Sequence, residues 1–256
     1  MNGPQVHVEN EGKIAVLTLD DPSSRNGLSP TMRERLMAAF SACLEPAGTS
    51  ASAVVITGAN GSFSAGSDIA AMLGQPAEDR VARLVEFQAF LAGWSGLDIP
   101  VLVAIEGAAA GGGVSMALAA DWAVASTDAF FVSGWLGVGL VPDAGAAWWL
   151  IRAMGPKLAF DWIHSSRRLD AEAACAAGIV STSCPPGSAR AAAVARAREL
   201  LAWPPRARAQ TKAVLRAAAN SASLAEFLKT EAAAQQVLFG GAEHHELVSR
   251  FRQRRK

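Results

Sequence analysis

The sequence predicts an α/β fold in which buried parallel strands lead into glycine-rich loops and then into helices. Two apolar runs, 53–57 and 101–105, are short, rich in valine and isoleucine, and bounded by glycine or proline, as buried parallel strands are. Each run is followed by a glycine-rich loop and a helical pattern, which starts near Ser67 and near Gly112. With 256 residues, 51% of them hydrophobic, the chain is long enough to bury a sizeable core.

The N-terminal segment predicts a β-hairpin and then a helix. Valines alternate with polar residues before an Asn-Glu-Gly turn at 10–12, and a second apolar run starts at Ile14. Ser29 followed by Pro30 is typical of a helix N-terminus, because the missing N–H of proline costs nothing in the first turn. The helical pattern then continues to about Leu44.

The rest of the chain divides into two regions. Strand patterns return three times, at 122–125, 130–132 and 179–182. Beyond them the sequence is alanine-rich, charged and helical, with Pro204-Pro205 as one break. We therefore predict a strand-and-helix core over residues 1–187 and a C-terminal helical region over residues 188–256.

Composition argues against nucleic-acid, membrane and metal functions. Lys plus Arg and Asp plus Glu number 23 each, so no global field attracts nucleic acid or an acidic membrane. No segment approaches the ~20 apolar residues of a membrane span. The three cysteines form no CxxC pair, and no histidine has a carboxylate or cysteine at a metal-ligand spacing. We expect a cytoplasmic protein that binds neither nucleic acid, membrane nor metal.

Two glycine-rich loops, 61–69 and 106–113, are the candidate site. Neither contains a G-x-G-x-x-G pattern or a P-loop lysine, and the chain lacks the G-x-S-x-G of serine hydrolases. Glycines at a strand-to-helix junction let a ligand approach backbone N–H groups at the positive end of a helix dipole. Two such loops can aim two N–H groups at one oxygen, as a thioester enolate requires. In the alternative interpretation, the glycines only let helices pack closely against strands.

These loops and two further segments resemble the motifs of the enoyl-CoA hydratase/isomerase (crotonase) superfamily. Segment 63–69 resembles its F-x-A-G-x-D-[IL] signature, and segment 106–121 resembles its G-x-A-x-G-G-G…D block. Segments 25–29 and 169–180 are similar to its R-N-A-L-[ST] and A-x-E-A…G-L-V elements. The likeness spans about residues 5–255.

The resemblance implies a crotonase-like (ClpP/crotonase) spiral of β-β-α units with a C-terminal helical trimerisation region, assembled as a homotrimer or hexamer. It implies an acyl-CoA substrate, with coenzyme A present only as part of that substrate and no permanently bound cofactor. By motif match, Ser67 and Gly112 supply two oxyanion N–H groups, and the Ser67 side chain is incidental. For Arg25, a position in a surface loop without a ligand contact is an equal alternative to a position along CoA. The match implies substrate or CoA contacts for Arg25, Ala65, Gly66, Asp68, Ile69, Gly111, Ser115 and Trp135.

Two positions argue against efficient hydration. Hydratases of this family use two glutamates to hold one water molecule. The corresponding positions are Ser115 and Trp135, and neither a hydroxyl nor an indole can deprotonate water as a carboxylate pair does.

Asp143 matches an aspartate that some isomerases and dehalogenases of the superfamily use. The surrounding segment 137–155 resembles phenylacetate-pathway ring-epoxide isomerases and related enoyl-CoA isomerases. The match predicts that Asp143 is the single acid–base of an isomerase. Alternatively, Asp143 is the N-cap of a helix that begins with Ala144-Gly145-Ala146.

Two further alternatives remain. Trp135 together with Asp143 matches the arrangement of 4-chlorobenzoyl-CoA dehalogenases, but these also need a histidine at a position that Gln88 occupies. Alternatively, the protein keeps the fold without the chemistry and acts as an acyl-CoA-binding scaffold.

Overall fold

The described part of the chain covers residues 3–45, 50–69, 76–239 and 241–253 of a computed structural model. Its strands are β1 (Gln5–Glu11), β2 (Ile14–Asp20), β3 (Ala53–Gly58), β4 (Val101–Ile105), β5 (Ala108–Ala110), β6 (Trp122–Ser126), β7 (Phe130–Val132), β8 (Leu169–Asp170) and β9 (Thr182–Cys184). Its helices are α1 (Pro30–Leu44), α2 (Ala77–Trp94), α3 (Gly112–Ala119), α4 (Ala146–Ser165), α5 (Ala171–Ala176), α6 (Ala189–Leu201), α7 (Pro205–Asn220), α8 (Leu224–Phe239) and α9 (Ala242–Gln253).

The strands form two sheets. The main sheet has the order β1-β2-β3-β4-β6-β9, and the smaller sheet has the order β5-β7-β8. β1 and β2 form an antiparallel hairpin, and every later pair of neighbours in the main sheet is parallel. The chain passes from the main sheet to the smaller sheet and then to a helix in β4-β5-α3, and again in β6-β7-α4. This repetition agrees with the predicted succession of β-β-α units.

The central strands of the main sheet, β2, β3, β4 and β6, are buried on both faces. Side chains alternate between the two faces along each strand, and in these four strands nearly all of them are apolar. In β2, Leu17 and Leu19 pack in the larger core cluster together with α1. Ile14 and Val16 point to the other face, where α6 covers the sheet. The side chains that α6 buries there are small: Ala189, Ala193, Val194 and Ala197. The helical region predicted from residue 188 thus begins with a helix that belongs to the packing of the core.

Most predicted elements are confirmed. The hairpin, the strands from 53, 101, 122 and 130, and the helix after Ser29 are present, and Ser29 Oγ accepts the N-cap hydrogen bond from Met32 N–H at 3.2 Å. The strand predicted at 179–182 is displaced, because β9 starts only at Thr182. The apolar residues just before it are buried in a turn of the core and do not pair as a strand. The helix predicted from near Ser67 lies mostly outside the described residues.

Lys212 links helix α7 of the C-terminal region to the core. Its Nζ atom, on α7, donates to the carbonyl groups of Trp94 and Ile99 at 2.7 and 3.0 Å and to Asp121 Oδ2 at 2.6 Å. Burial lowers the pKa of Lys212 and raises the pKa of Asp121, and their mutual attraction opposes both shifts. The same Asp121 oxygen accepts from Val101 N–H at 2.8 Å, so one carboxylate joins the start of β4 to α7.

Helix α4 is interrupted at Gly155, which has φ 78° and ψ 163° and precedes Pro156. Such a break is expected, because proline cannot donate the helical hydrogen bond and glycine accepts a left-handed φ. Within the described ranges, no helix is long and apolar enough to cross a membrane.

Candidate active site

The two glycine-rich loops are joined by backbone hydrogen bonds. Ser64 N–H donates to the Ala108 carbonyl at 2.9 Å, and Ala110 N–H donates to the Ser64 carbonyl at 3.0 Å. Gly66 has a φ of +82°, and a Cβ atom there would lie 2.5 Å from the Ala110 oxygen and 3.5 Å from Gly111 Cα. The position therefore requires glycine for two reasons, the left-handed backbone conformation and the close contact between the loops.

The second loop ends at the N-terminus of α3, where backbone N–H groups have no acceptor within the helix. Gly111, with a φ of +47°, is the residue that precedes the helix. The first intrahelical hydrogen bond runs from Ser115 N–H to the Gly111 carbonyl at 3.1 Å, so the N–H group of Gly112 lies before it. Ser67 and Gly112 thus directly follow Gly66 and Gly111, the two residues at which the loops meet.

The segment that precedes α1, residues 25–28, is hydrogen-bonded to the first loop. Ala65 N–H donates to the Arg25 carbonyl at 3.0 Å, and Leu28 N–H donates to the Gly66 carbonyl at 2.7 Å. The Leu28 side chain reaches the second loop, because a Cβ atom at Gly112 would lie 2.8 Å from Leu28 Cδ1. Leu28 therefore contacts both loops, one through its backbone and the other through its side chain.

Asn26 holds this segment from the interior, a role that the sequence analysis missed. Its Nδ2 atom donates to the carbonyl groups of Ala59 and Ser62 at 2.9 and 2.7 Å, and its Oδ1 atom accepts from Asp21 N–H at 2.8 Å. The residue is 1% exposed and has a φ of 59°, a left-handed conformation that asparagine tolerates better than most residues. The neighbouring Arg25 contributes its carbonyl group, while its side chain is exposed.

The Ser67 side chain, which the sequence analysis treats as incidental, has a defined partner in the structure. Its Oγ atom accepts a hydrogen bond from Arg33 Nη2 at 2.9 Å, and Arg33 Nε donates to the Leu28 carbonyl at 3.0 Å. Arg33 lies on α1, 34 residues before Ser67. No local sequence pattern connects the two positions, which is why the pairing could not be read from the sequence.

Asp143 is held by Ser115 and Trp135. Trp135 Nε1 donates to Asp143 Oδ1 at 2.9 Å, and Ser115 Oγ donates to the Asp143 carbonyl at 3.2 Å. The alternative prediction, that the Asp143 side chain caps a helix, is not supported. The helix begins at Ala146, its N-cap residue is Gly145, and no side chain donates or accepts a capping bond there. The Asp143 carboxylate is therefore not engaged in helix capping.

Trp135 connects Asp143 to the second loop. A Cβ atom at Gly111 would lie 3.9 Å from Trp135 Nε1, the nitrogen that donates to Asp143. Trp135 is 4% exposed, whereas Asp143 is partly exposed, so the indole end of this hydrogen bond is shielded from water and the carboxylate end remains accessible. The remaining predicted residues, Asp68 and Ile69, continue the first loop, and the Ile69 side chain is exposed. The structure thus brings the predicted site residues together around one junction of loops.

A cavity of ≈ 320 Å³ lies between α2 and the start of α4. The residues that line it are Gln88, Ala92, Ser95, Ala144, Gly145, Trp148 and Trp149. Ala144 and Gly145 directly follow Asp143 in the chain, but none of the predicted site residues itself lines this cavity. A larger cavity of ≈ 630 Å³ lies between α7 and the core, shares Trp148 and Trp149 with the smaller one, and is likewise lined by none of the predicted site residues.

Comparison with known proteins agrees with the motifs. The model of the enoyl-CoA hydratase/isomerase family matches residues 9–256. A protein of Rhodobacter capsulatus described as "Probable enoyl-CoA hydratase" is 33% identical over 242 residues, which is 94% of this chain and 92% of that protein. The 4-chlorobenzoyl coenzyme A dehalogenase-1 of an Arthrobacter species is 32% identical over 181 residues, 69% of this chain and 64% of the relative.

A solved structure shows the same fold over nearly the whole chain. The crystal structure of an enoyl-CoA hydratase from Polaromonas sp. JS666 matches with a TM-score of 0.91 and 28% sequence identity. The match covers 98% of this chain and 97% of that one.

The contact between the loops predicts different costs for two glycine substitutions. Gly66→Ala introduces a methyl group against the Ala110 oxygen, whereas Gly61→Ala, at a φ of +67° in the same loop, meets nothing within 4 Å. Both variants carry the strain of a left-handed alanine, ~1 kcal/mol. Overpacking should cost Gly66→Ala roughly 1–3 kcal/mol more, measured as the free energy of unfolding in urea. Equal stability of the two variants would show that the loops do not meet at Gly66.

Proposed function

The chain belongs to the enoyl-CoA hydratase/isomerase family, and on this premise we propose that it isomerises an unsaturated or ring-epoxide acyl-CoA through an enolate. One observation supports the choice of isomerisation most. The two positions at which hydratases of the family carry glutamates hold Ser115 and Trp135, and both side chains donate hydrogen bonds to Asp143. The site therefore provides one carboxylate, which Trp135 contacts directly, while Ser115 contacts the backbone carbonyl of the same residue.

The proposed oxyanion hole consists of the backbone N–H groups of Ser67 and Gly112. The contact between Gly66 and Gly111 supports this assignment, because it places the two following N–H groups at the same junction. The Gly112 group also lies at the positive end of α3. When a proton leaves the α-carbon of a thioester, negative charge develops on the carbonyl oxygen. Losing one fixed donor to such an oxygen typically costs ~3 to 4 kcal/mol of transition-state stabilisation.

Asp143 is the proposed acid–base. Its carboxylate takes the α-proton of a 3-enoyl thioester, and the electron pair moves into the conjugated enolate. The resulting carboxylic acid returns the same proton to the γ-carbon as the double bond forms between the α- and β-carbons. One carboxylate is enough for this transfer, because the group that removes the α-proton also delivers a proton to the γ-carbon.

Trp135 orients the base in this scheme. Its Nε1 donates to one carboxylate oxygen of Asp143, which restrains the carboxylate, and in this proposal the other oxygen takes the proton. Hydration would additionally need a second group to hold and deprotonate water, and neither Ser115 nor Trp135 can do so. Isomerisation thus fits the site better than the hydration for which several relatives are named.

The acyl group is proposed to enter the ≈ 320 Å³ cavity that is lined in part by the two residues following Asp143 in the chain. Its tryptophans, Trp148 and Trp149, offer flat apolar surfaces that suit an unsaturated or cyclic acyl group. The resemblance of segment 137–155 to phenylacetate-pathway isomerases supports the same class. A panel of acyl-CoA competitors that differ only in the acyl group would identify the preferred one.

Dehalogenation is the second candidate, favoured by the Trp135–Asp143 hydrogen bond and by the similarity to a 4-chlorobenzoyl coenzyme A dehalogenase. In that reaction the aspartate is a nucleophile, and a histidine activates the water that frees the aryl ester. Gln88 lines the cavity at the corresponding position and cannot act as that base. Chloride release from 4-chlorobenzoyl-CoA, which we expect to be absent, distinguishes the two candidates.

A scaffold without chemistry would in addition fail to exchange the α-proton of a bound acyl-CoA for deuterium.

Replacement of Asp143 tests the proposed chemistry. Asp143→Asn keeps the size of the side chain and the bond from Trp135 but removes the base, so turnover should fall by ~10² to 10⁴ while thioester affinity stays nearly unchanged. Isomerisation of 3-hexenoyl-CoA and binding by calorimetry give the two readouts. Asp128→Asn is the matched control, because Asp128 is an exposed aspartate whose recorded partner, Ser126, lies outside the site. Wild-type turnover in Asp143→Asn would refute the assignment.

We propose that the chain assembles as a trimer or hexamer. Helix α4 leaves several large apolar side chains exposed, which are Trp148, Ile151, Leu158 and Phe160. The C-terminal helical region exposes others, among them Trp203, Leu215, Leu224 and Phe239. Exposed apolar surface of this extent is typical of a protein interface, and the small alanines of the helical region favour close helix packing.

Light scattering should therefore give at least three times the 26.5 kDa mass of one chain. Phe160→Asp should lower that mass, because it buries an unpaired carboxylate in the proposed interface. Val8→Asp is the matched control, since Val8 is an exposed valine on the edge strand β1. A stable mass near 26.5 kDa for the wild type would remove the proposal.

A further inference from the structure

Arg33 is a charged residue at the proposed site with no part in the chemistry described above. It lies on the face of α1 that turns toward the first loop, where its guanidinium donates to Ser67 Oγ at 2.9 Å and to the Leu28 carbonyl at 3.0 Å. The guanidinium carbon lies 5.0 Å from the centre of the Phe87 ring, which is itself 1% exposed. One side chain is thus fixed by two hydrogen bonds and an aromatic ring.

The two acceptors of Arg33 are the residues that control both proposed oxyanion donors. Ser67 carries one donor on its own backbone. Leu28 donates its N–H to the Gly66 carbonyl at 2.7 Å and places its side chain against Gly112, which carries the other donor. Arg33 is thus linked to each of the two donor residues through one intermediate group, the Ser67 hydroxyl or Leu28.

The charge of Arg33 also faces the site. Burial lowers the pKa of Arg33, the negative charge of Asp143 raises it, and the positive charge of Arg83 lowers it, but the guanidinium stays charged at any physiological pH. A cation at this position attracts negative charge that develops near the oxyanion hole. Burying a guanidinium costs desolvation free energy that an apolar side chain of similar length would not incur. Packing of α1 alone therefore does not call for an arginine here.

We propose that Arg33 is a positioning residue, which holds Ser67 Oγ and the Leu28 carbonyl so that both oxyanion N–H groups point at one thioester oxygen. This inference rests on the proposed enolate function. It predicts that loss of Arg33 weakens stabilisation of the enolate much more than binding of the CoA thioester in its neutral form.

Acetoacetyl-CoA is a suitable probe, because this acidic β-keto thioester absorbs in the ultraviolet as an enolate and needs no turnover. Its total binding is measured by calorimetry, and the bound enolate by absorbance. Arg33→Met removes the charge and both hydrogen bonds. Arg33→Lys keeps the charge but, as a single ammonium on a flexible stem, cannot reproduce the fork of two donors. Ser67→Ala removes one acceptor and leaves the backbone N–H in place.

A matched control is Arg35→Met, which removes an exposed arginine from the same helix. Arg35 donates to the Pro4 carbonyl, away from the site. The melting temperature of each variant shows whether a decrease in bound enolate is accompanied by a loss of protein stability.

The ratio of enolate to neutral ligand should fall by ~10- to 100-fold in Arg33→Met, since small misplacements of catalytic groups have effects of this size. Arg33→Lys should be intermediate, Ser67→Ala should lose less than Arg33→Met, and the double variant should lose no more than Arg33→Met alone. Arg35→Met should match the wild type.

Two outcomes overturn this inference in distinguishable ways. A wild-type enolate ratio in Arg33→Met, with only the melting temperature lowered, would make Arg33 purely structural and leave the proposed function intact. Absence of the enolate band in the wild type, with acetoacetyl-CoA bound, would refute the enolate function itself and the role of Arg33 with it.

Discussion

The side-chain amide of Asn26 makes three hydrogen bonds in the interior, two to the first glycine-rich loop and the strand end before it, and one to Asp21. Each such bond contributes about 1 kcal/mol, and an unsatisfied buried partner costs about 1–3 kcal/mol, so this segment has little freedom to move. Leu28 and Arg33 follow Asn26 in the chain and reach the loops from the position that it fixes. The geometry of the proposed oxyanion hole therefore depends on a residue that is neither at its centre nor charged.

The remaining parts of the site connect to that segment one after another. The first loop lies against the second through Gly66, the second ends at the N-terminus of α3, and Trp135 lies beside Gly111 with its indole N–H on Asp143. The contacts of Gly66 with the second loop and of Gly111 with Trp135 join parts of the chain that are remote in sequence. The two sheets make this possible, because β5 and β7 of the smaller sheet carry the chain from the main sheet to the edge at which the loops meet.

The sequence predicted those parts of the fold and site whose physical signal is local. Valine-rich runs bounded by glycine or proline gave β3 and β4, and Ser29-Pro30 gave the start of α1. The glycine loops and Asp143 were visible as residue types in a recognisable order. The partners of Asn26 and the Arg33–Ser67 hydrogen bond were not visible, because pairing across 33 to 36 residues leaves no local pattern. At Ile179 a local signal was present but ambiguous. The sequence analysis assigned this residue to a strand, because a buried turn and a buried strand share the same apolar composition.

The most direct test is a crystal structure of the protein with a non-reactive CoA thioester bound. The thioester carbonyl oxygen should lie within ~3.2 Å of the backbone nitrogens of both Ser67 and Gly112, as hydrogen bonding requires. The acyl group should extend toward Asp143, and free CoA should bind more weakly than the thioester. A complex in which that oxygen lies beyond hydrogen-bonding distance of both nitrogens would contradict the proposed oxyanion hole and the enolate chemistry derived from it.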